Sequence, residues 1–261
     1  MVNDFVLEEC LAWNLSSRDG SKKHLIRGEV SEPQLIVEAF RFRKFNYTAK
    51  GKYILATSSV NGINRDIDIS WLKAASDSYD ISPNINDYIL VQVPLVTSDI
   101  PNRNLQAFAY EELTYFDPMY GNLVYKTFIG KPTHKEHDNI DCKKAKGVNF
   151  DSVLVPVPKY GIWKVMVLSG FDRTKDPDLA RSILSGERNS YSMGALVDNL
   201  VCSICGKVVD PKNLCPHMKM GKGEVFNGRL IYELACGVNF IENSSVENPA
   251  DVTAVSSSLY A

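Results

Sequence analysis

Hydrophobic and polar positions in this chain alternate far more often than they recur at helical spacing, and the pattern changes character near residue 85. In the first part, Phe40-Arg41-Phe42-Arg43-Lys44-Phe45 alternates aromatic with basic side chains, which predicts a strand with one buried face. A second strand is predicted over Tyr53 to Ser58, and a short helix over Ser70 to Tyr79 with Ser70 as its cap. The β-branched run from Tyr88 to Val93 then predicts a buried strand, with an edge or bulge at Pro94. Leu105 to Phe116 reads as a helix, and Leu123 to Ile129 as a strand stopped by Gly130 and Pro132. Gly147 to Val157 and Ile162 to Phe171 predict two strands joined by the turn Pro158 to Gly161. Asp176 as cap, Pro177 in the first turn, the stripe Leu179, Ile183 and Leu184, and Gly186 beyond it mark a helix. Tyr191 to Val197 and Leu230 to Ile241 complete the strands.

Strands outnumber helices and do not alternate with them regularly. The expected class is therefore α+β, a mainly antiparallel β-barrel or sheet surrounded by helices. Residues 1–85 form an N-terminal region of uncertain role, 86–256 the principal domain with an insertion at about 200–220, and 257–261 a loose polar tail.

Composition narrows the function only by exclusion. The 261 residues are 44% hydrophobic and 23% charged, with a formal net charge of −2, so no global field draws the chain to nucleic acid. The aromatic and basic run at 40–45 is a strand before it is a nucleic-acid platform, because Glu32 and Glu38 dilute its charge. The N-terminus lacks the basic start and apolar run of a signal peptide, and no stretch is long enough to span a bilayer. A cytosolic protein without membrane or nucleic-acid partners is expected.

Two neighbouring segments carry chemistry. Ser192, in Tyr191-Ser192-Met193-Gly194, is a candidate nucleophile, with Gly194 letting backbone amides approach the attacked atom. Four histidines are present, and two of them, His134 and His137, follow a predicted strand where an imidazole could take the serine proton. The residues alone do not choose between these two. Cys142 is discounted as a thiol nucleophile because it sits among lysines in a loop. Three of the six cysteines, Cys202, Cys205 and Cys215, cluster with His217 and supply four ligands suited to tetrahedral zinc. All four positions of such a site are filled, so it predicts a structural metal and no catalytic water.

Thr127-Phe128-Ile129-Gly130-Lys131-Pro132 with His137-Asp138, then Tyr191-Ser192-Met193-Gly194, then Phe240-Ile241-Glu242-Asn243-Ser244-Ser245-Val246 through Pro249-Ala250-Asp251, resemble the prohead maturation proteases of tailed bacteriophages. That family shares its fold with the herpesvirus capsid-assembly proteases. The resemblance covers roughly Tyr88 to Ala254 and lies in the order and spacing of the three motifs. It implies His137 as general base, Ser192 as nucleophile and Glu242 as the acid that orients the histidine, with Asp172 and Glu233 as fallback acids. Gly194 and Arg188 are expected to support the oxyanion. The chain departs from the family pattern by an extra serine, Ser245, before Val246. Some relatives resemble it in carrying a Cys-Ser-Ile-Cys-Gly insertion after the serine strand, which implies a zinc staple.

The implied function is a serine endopeptidase, packaged in the viral prohead and assembled in the host cytoplasm, that cleaves scaffold or core protein, major capsid protein and itself. The herpesvirus relatives act as dimers, which adds a homodimer to these expectations. The alternative is a non-enzymatic capsid or scaffold component, or a zinc-knuckle interaction module, that keeps the protease fold.

Overall fold

The computed structural model describes residues 70–260, together with four short strands at 24–27, 45–47, 53–56 and 64–67. Its centre is an eight-stranded sheet that curls into a half-barrel, built from β1 (His24–Arg27), β2 (Tyr88–Thr97), β3 (Pro132–Lys135), β4 (Gly147–Val157), β5 (Ile162–Asp172), β6 (Tyr191–Val197), β7 (Asn239–Ser245) and β8 (Ser258–Tyr260). The spatial order is β1-β6-β7-β3-β4-β5-β2-β8. Every pairing is antiparallel except β7 with β3. A smaller three-stranded sheet joins Asn199–Cys202, Glu233–Cys236 and Gln106–Phe108.

The curl follows from which faces are apolar. Along β2, Ile89, Val91, Val93 and Leu95 point into the main core, where Tyr191, Met193, Ala195 and Val197 of β6 meet them. Tyr88 and Leu90, one residue out of phase, join Val148, Phe150 and Leu168 in a second core. Helix α1 (Leu72–Tyr79) covers that second core, with the Trp71 and Tyr88 rings 5.8 and 5.4 Å from Phe150. Burial on both faces explains why β2 reads as a nearly unbroken apolar run. Helix α2 (Tyr110–Thr114) and helix α3 (Pro177–Leu184) flank the sheet. The Asp176 carboxylate caps α3 by accepting from the Leu179 amide at 3.0 Å, and Gly186 beyond the helix has φ +78°.

The β4 and β5 hairpin, β6, α3 and the irregularity near Pro94 match expectation. The β2 and β5 register shifts beside Pro94, since Val165 faces Val96 and Met166 faces Pro94. Other expectations need correction. The boundary at residue 85 falls inside one packed unit, because Leu72, Ile81 and Ile85 belong to the second core and β1 pairs with β6. The tail expected to be loose supplies β8, which pairs with Leu90 to Gln92. The Leu105 to Phe116 segment breaks into a strand at Gln106–Phe108, the short α2, and a strand at Phe116–Asp117, because Phe108 and Leu113 turn into the same core from different backbone geometries. From Val124 to Phe128 the chain is a 3₁₀ turn that buries Val124 and Phe128, and only Asn122–Leu123 is strand. The predicted strand at Leu230 to Ile241 is three separate strands interrupted at Gly237, whose φ is +68°. Ser70 does not cap α1; its first turn starts after Trp71 without a side-chain cap. The aromatic and basic residues 40–44 lie outside the described residues, and strand begins at Phe45.

Candidate active site and metal centre

The register of β6, β7 and β3 brings the predicted residues to one face. Ser192 stands opposite Ser244, which stands opposite His134, while Gly194 stands opposite Glu242. Because side chains alternate along a strand, Ser192 and Gly194 project away from the core that receives Tyr191 and Met193. Glu242 and Ser244 share their side of the sheet. A bulge assists this arrangement. Gly194 pairs with Glu242 and the next residue, Ala195, pairs with Phe240, leaving Ile241 as the extra residue. Glu242 thus faces the site while Phe240, two residues away, fills the main core and stacks on Phe128 at 4.1 Å.

His137 sits in the turn after β3. Its Nδ1 lies 2.8 Å from Glu242 Oε1, and both side chains are 1% exposed. An ionised carboxylate can only accept, so Nδ1 carries the proton and Nε2 of the neutral ring is left with its lone pair. Nε2 is buried and has no hydrogen-bond partner among the described residues. It therefore makes no hydrogen bond to Ser192 in this state, although Ser192 is only 4% exposed and pairs with the strand that holds the acid.

Ser244 ties the pair together. Its hydroxyl donates to Glu242 Oε2 at 2.6 Å and accepts from the His137 amide at 3.2 Å, so one side chain fixes both the acid and the backbone of the base. That backbone needs fixing. Glu136 and His137 have φ of +49° and +54°, a left-handed conformation that costs a side-chain-bearing residue about 1 kcal/mol or more. The Glu136 amide donates to Ser245 O at 3.0 Å, and the Arg188 guanidinium bonds the Glu136 carboxylate and the Ser245 hydroxyl.

Gly194 and Arg188, expected as oxyanion support, are engaged differently. A Cβ on Gly194 would lie 2.5 Å from Glu242 Oε1 and 2.9 Å from its Cγ, so the glycine makes room for the acid. Gly194 also has strands on both sides, β1 and β7, which makes its backbone part of the sheet. Arg188 anchors the turn that carries the base. Of the three candidate acids, only Glu242 reaches His137. Asp172 accepts from the Ser82, Thr174 and Lys175 amides at a loop, and Glu233 is bound by Gln106 and Lys222. The exposed Cys142 thiol lies against Ser78 O, away from these groups.

His134 is the near neighbour that the spacing left undecided. Its ring is 1% exposed, Nδ1 has no partner among the described residues, and burial pushes its pKa below the ordinary imidazole value, against the opposing pull of Glu242 and Asp138. It stays neutral beside the His137 and Glu242 pair. Ser244 is the residue whose role the motif alone could not show. Its signal is period two, since it shares a face with Glu242 two positions earlier.

The second centre is built locally. The strand Asn199–Cys202 ends in a turn where the Gly206 amide bonds Cys202 O at 2.8 Å and Gly206 has φ +70°. This brings Cys205 back beside Cys202. Cys215 caps helix α4 (Pro216–Met220), its Sγ accepting from the Met218 amide at 3.4 Å, and His217 follows in the first turn. The four ligand atoms of Cys202, Cys205, Cys215 and His217 all lie within 4.8 Å of one another and can hold a metal ion. His217 Nδ1 is buried without a hydrogen-bond partner among the described residues, which suits a nitrogen able to serve as a metal ligand. Burial pushes the Cys202 thiol up to about 12, so metal binding must displace a proton there. Met218, Ile231, Ile204, Val209 and Phe226 form a small apolar cluster with these cysteines.

Comparisons with protein-family models, curated proteins and solved structures give no match to this chain. The site geometry and the sequence motifs therefore carry the functional reading by themselves.

Proposed function

We propose that this chain is a serine endopeptidase of the prohead-maturation type, with the herpesvirus-protease fold that its motifs imply. The observation that carries the reading is the 2.8 Å bond from His137 Nδ1 to Glu242, which leaves the His137 Nε2 lone pair available on the face that also bears Ser192. In the reaction, Ser192 Oγ attacks a peptide carbonyl carbon while His137 Nε2 takes the hydroxyl proton, forming a tetrahedral intermediate. Collapse breaks the C–N bond as the imidazolium returns that proton to the leaving amine. Water then repeats the sequence and releases the acyl group from Ser192. Glu242 stabilises the imidazolium, and Ser244 and Arg188 hold acid and base in register.

The chain would act on scaffold and capsid proteins, and on itself, inside the prohead. The cysteine and histidine cluster would hold structural zinc, because four soft or borderline ligands complete a tetrahedron and leave no position for a reacting water. The test is co-expression with the cognate scaffold and major capsid proteins. Ser192→Ala is expected to lower processing at least about 10³-fold. Unchanged cleavage by that variant would overturn the proposal.

A further inference from the structure

A cavity of about 560 Å³ opens at the seam of the half-barrel, between β6, the far end of β2 and the segment 250–253. Its position follows from how β6 is paired on that edge. Residues 194–197 pair with β1, while Ser190 bridges Val255 and the Tyr191 amide bonds Ala254 O. Between those two contacts lie Ser192 and Met193, and both line the cavity. The remaining walls are largely apolar, formed by Leu95, Phe108, Val157 and Ile162 among others. The volume falls within the roughly 300–1,000 Å³ of small-ligand sites.

The charged groups in the wall are mostly satisfied by one another. Lys164 is 3% exposed, and its ammonium is held by the hydroxyls of Thr97 and Thr253, with Asp251 Oδ2 at 3.8 Å. The lysine therefore needs no anion from outside. Arg103 differs. One of its terminal nitrogens donates to Pro249 O at 3.2 Å, but Nε is buried with no acceptor among the described residues. That nitrogen has no accessible surface and so offers nothing to the cavity. An apolar chamber that opens beside Ser192 suits a large hydrophobic side chain on a peptide whose backbone passes that residue.

We infer that this cavity is a specificity pocket that receives a bulky apolar side chain of the peptide close to the bond attacked by Ser192. The inference rests on the serine-endopeptidase reading. It names the substrate class as segments bearing Leu, Ile, Met or an aromatic residue near the cleavage point, and it makes the seam, not the outer face of β7, the approach for that side chain.

The experiment separates the two layers. A small fluorophosphonate that does not need the pocket should label Ser192 in the wild-type chain, and mass spectrometry of a digested peptide library should show large apolar residues enriched about tenfold or more at one subsite. Ile100→Trp, at the half-exposed rim of the cavity, should keep the labelling rate while lowering kcat/KM for those peptides about tenfold or more and shifting preference to smaller residues. Val157→Trp, inside the chamber, should do the same. Labelled enzyme without an apolar preference, or rim and chamber variants that cleave like wild type, would overturn the pocket assignment alone. Absence of labelling would overturn the peptidase reading, and the pocket with it.

Discussion

The two polar centres of this protein are assembled by opposite means. The candidate metal centre draws all its potential ligands from Cys202 to His217, a stretch of chain that folds on itself through one knuckle turn and one short helix. The proposed reaction centre draws Ser192 from β6, Glu242 from β7 and His137 from the turn after β3, segments far apart in the chain. A local site of this kind would depend on an ion, because its own apolar cluster is small. A site spread over a sheet depends on register, and its supports are the side-chain bonds of Ser244 and Arg188. The two should therefore fail separately, and variants can test whether they do.

The largest effect should come from Glu242→Gln. The amide keeps the shape but can present a donor to His137 Nδ1, which favours the wrong tautomer, and kcat is expected to drop about 10³- to 10⁴-fold with little change in melting temperature. Equal losses of activity and stability would mean that the acid is mainly structural. Cys202→Ser, or removal of metal with a chelator, should do the reverse. The knuckle should lose about 3–5 kcal/mol of local stability, seen as a lower melting temperature and loss of bound zinc by elemental analysis, while Ser192 remains chemically labelled. If labelling vanishes together with the zinc, the two centres are coupled and the comparison breaks.

Ser244→Ala sharpens the distinction within the reaction centre. It removes one donor to Glu242 and the acceptor for the His137 amide, so kcat should fall about tenfold with KM nearly unchanged. A change in KM alone would argue that Ser244 touches substrate. The smallest effect concerns pH. Burial lowers the His134 pKa in the folded chain, so the unfolded chain binds the proton more readily and stability contributed by the neutral ring is lost as pH falls below about 6.5. Urea titrations from pH 7 to pH 5 should show this decline, and His134→Asn should flatten it. An equal slope in both proteins would remove His134 from the account.

The same contrast explains what could be read from the sequence. The knuckle was legible because its ligands are close together and their chemistry is distinctive. The β4 and β5 hairpin and α3 were legible because turn residues and caps act within a few positions of the elements they bound. The candidate triad could be named from motif order, but periodicity offered no choice between His134 and His137. That choice depends on two left-handed residues after β3, which turn the His137 ring back onto β7. Leu105 to Phe116 misled for a related reason. Two of its apolar residues, Phe108 and Leu113, serve one core from a strand and from a helix. The tail misled because its partner is the edge of β2, and a backbone-to-backbone pairing with Leu90 to Gln92 leaves little trace in side-chain hydropathy. Gly194 looked like a residue chosen for its backbone, whereas the space beside it is occupied by a carboxylate.

The single unpaired residue Ile241 has a consequence for how this chain tolerates length changes. On one side of it the strand offers Glu242 to the outer face, and on the other it offers Phe240 to the interior. Removing Ile241 itself would make Phe240 and Glu242 neighbours on a regular ladder, where alternation still sends the phenyl ring inward and the carboxylate outward. Removing Asn243 is different, because the bulge would absorb the loss, Ile241 would move opposite Gly194, and Glu242 would move opposite Met193 on the core face. The chain should thus bear the loss of Ile241, which takes no part in either centre, far better than the loss of Asn243 two positions on.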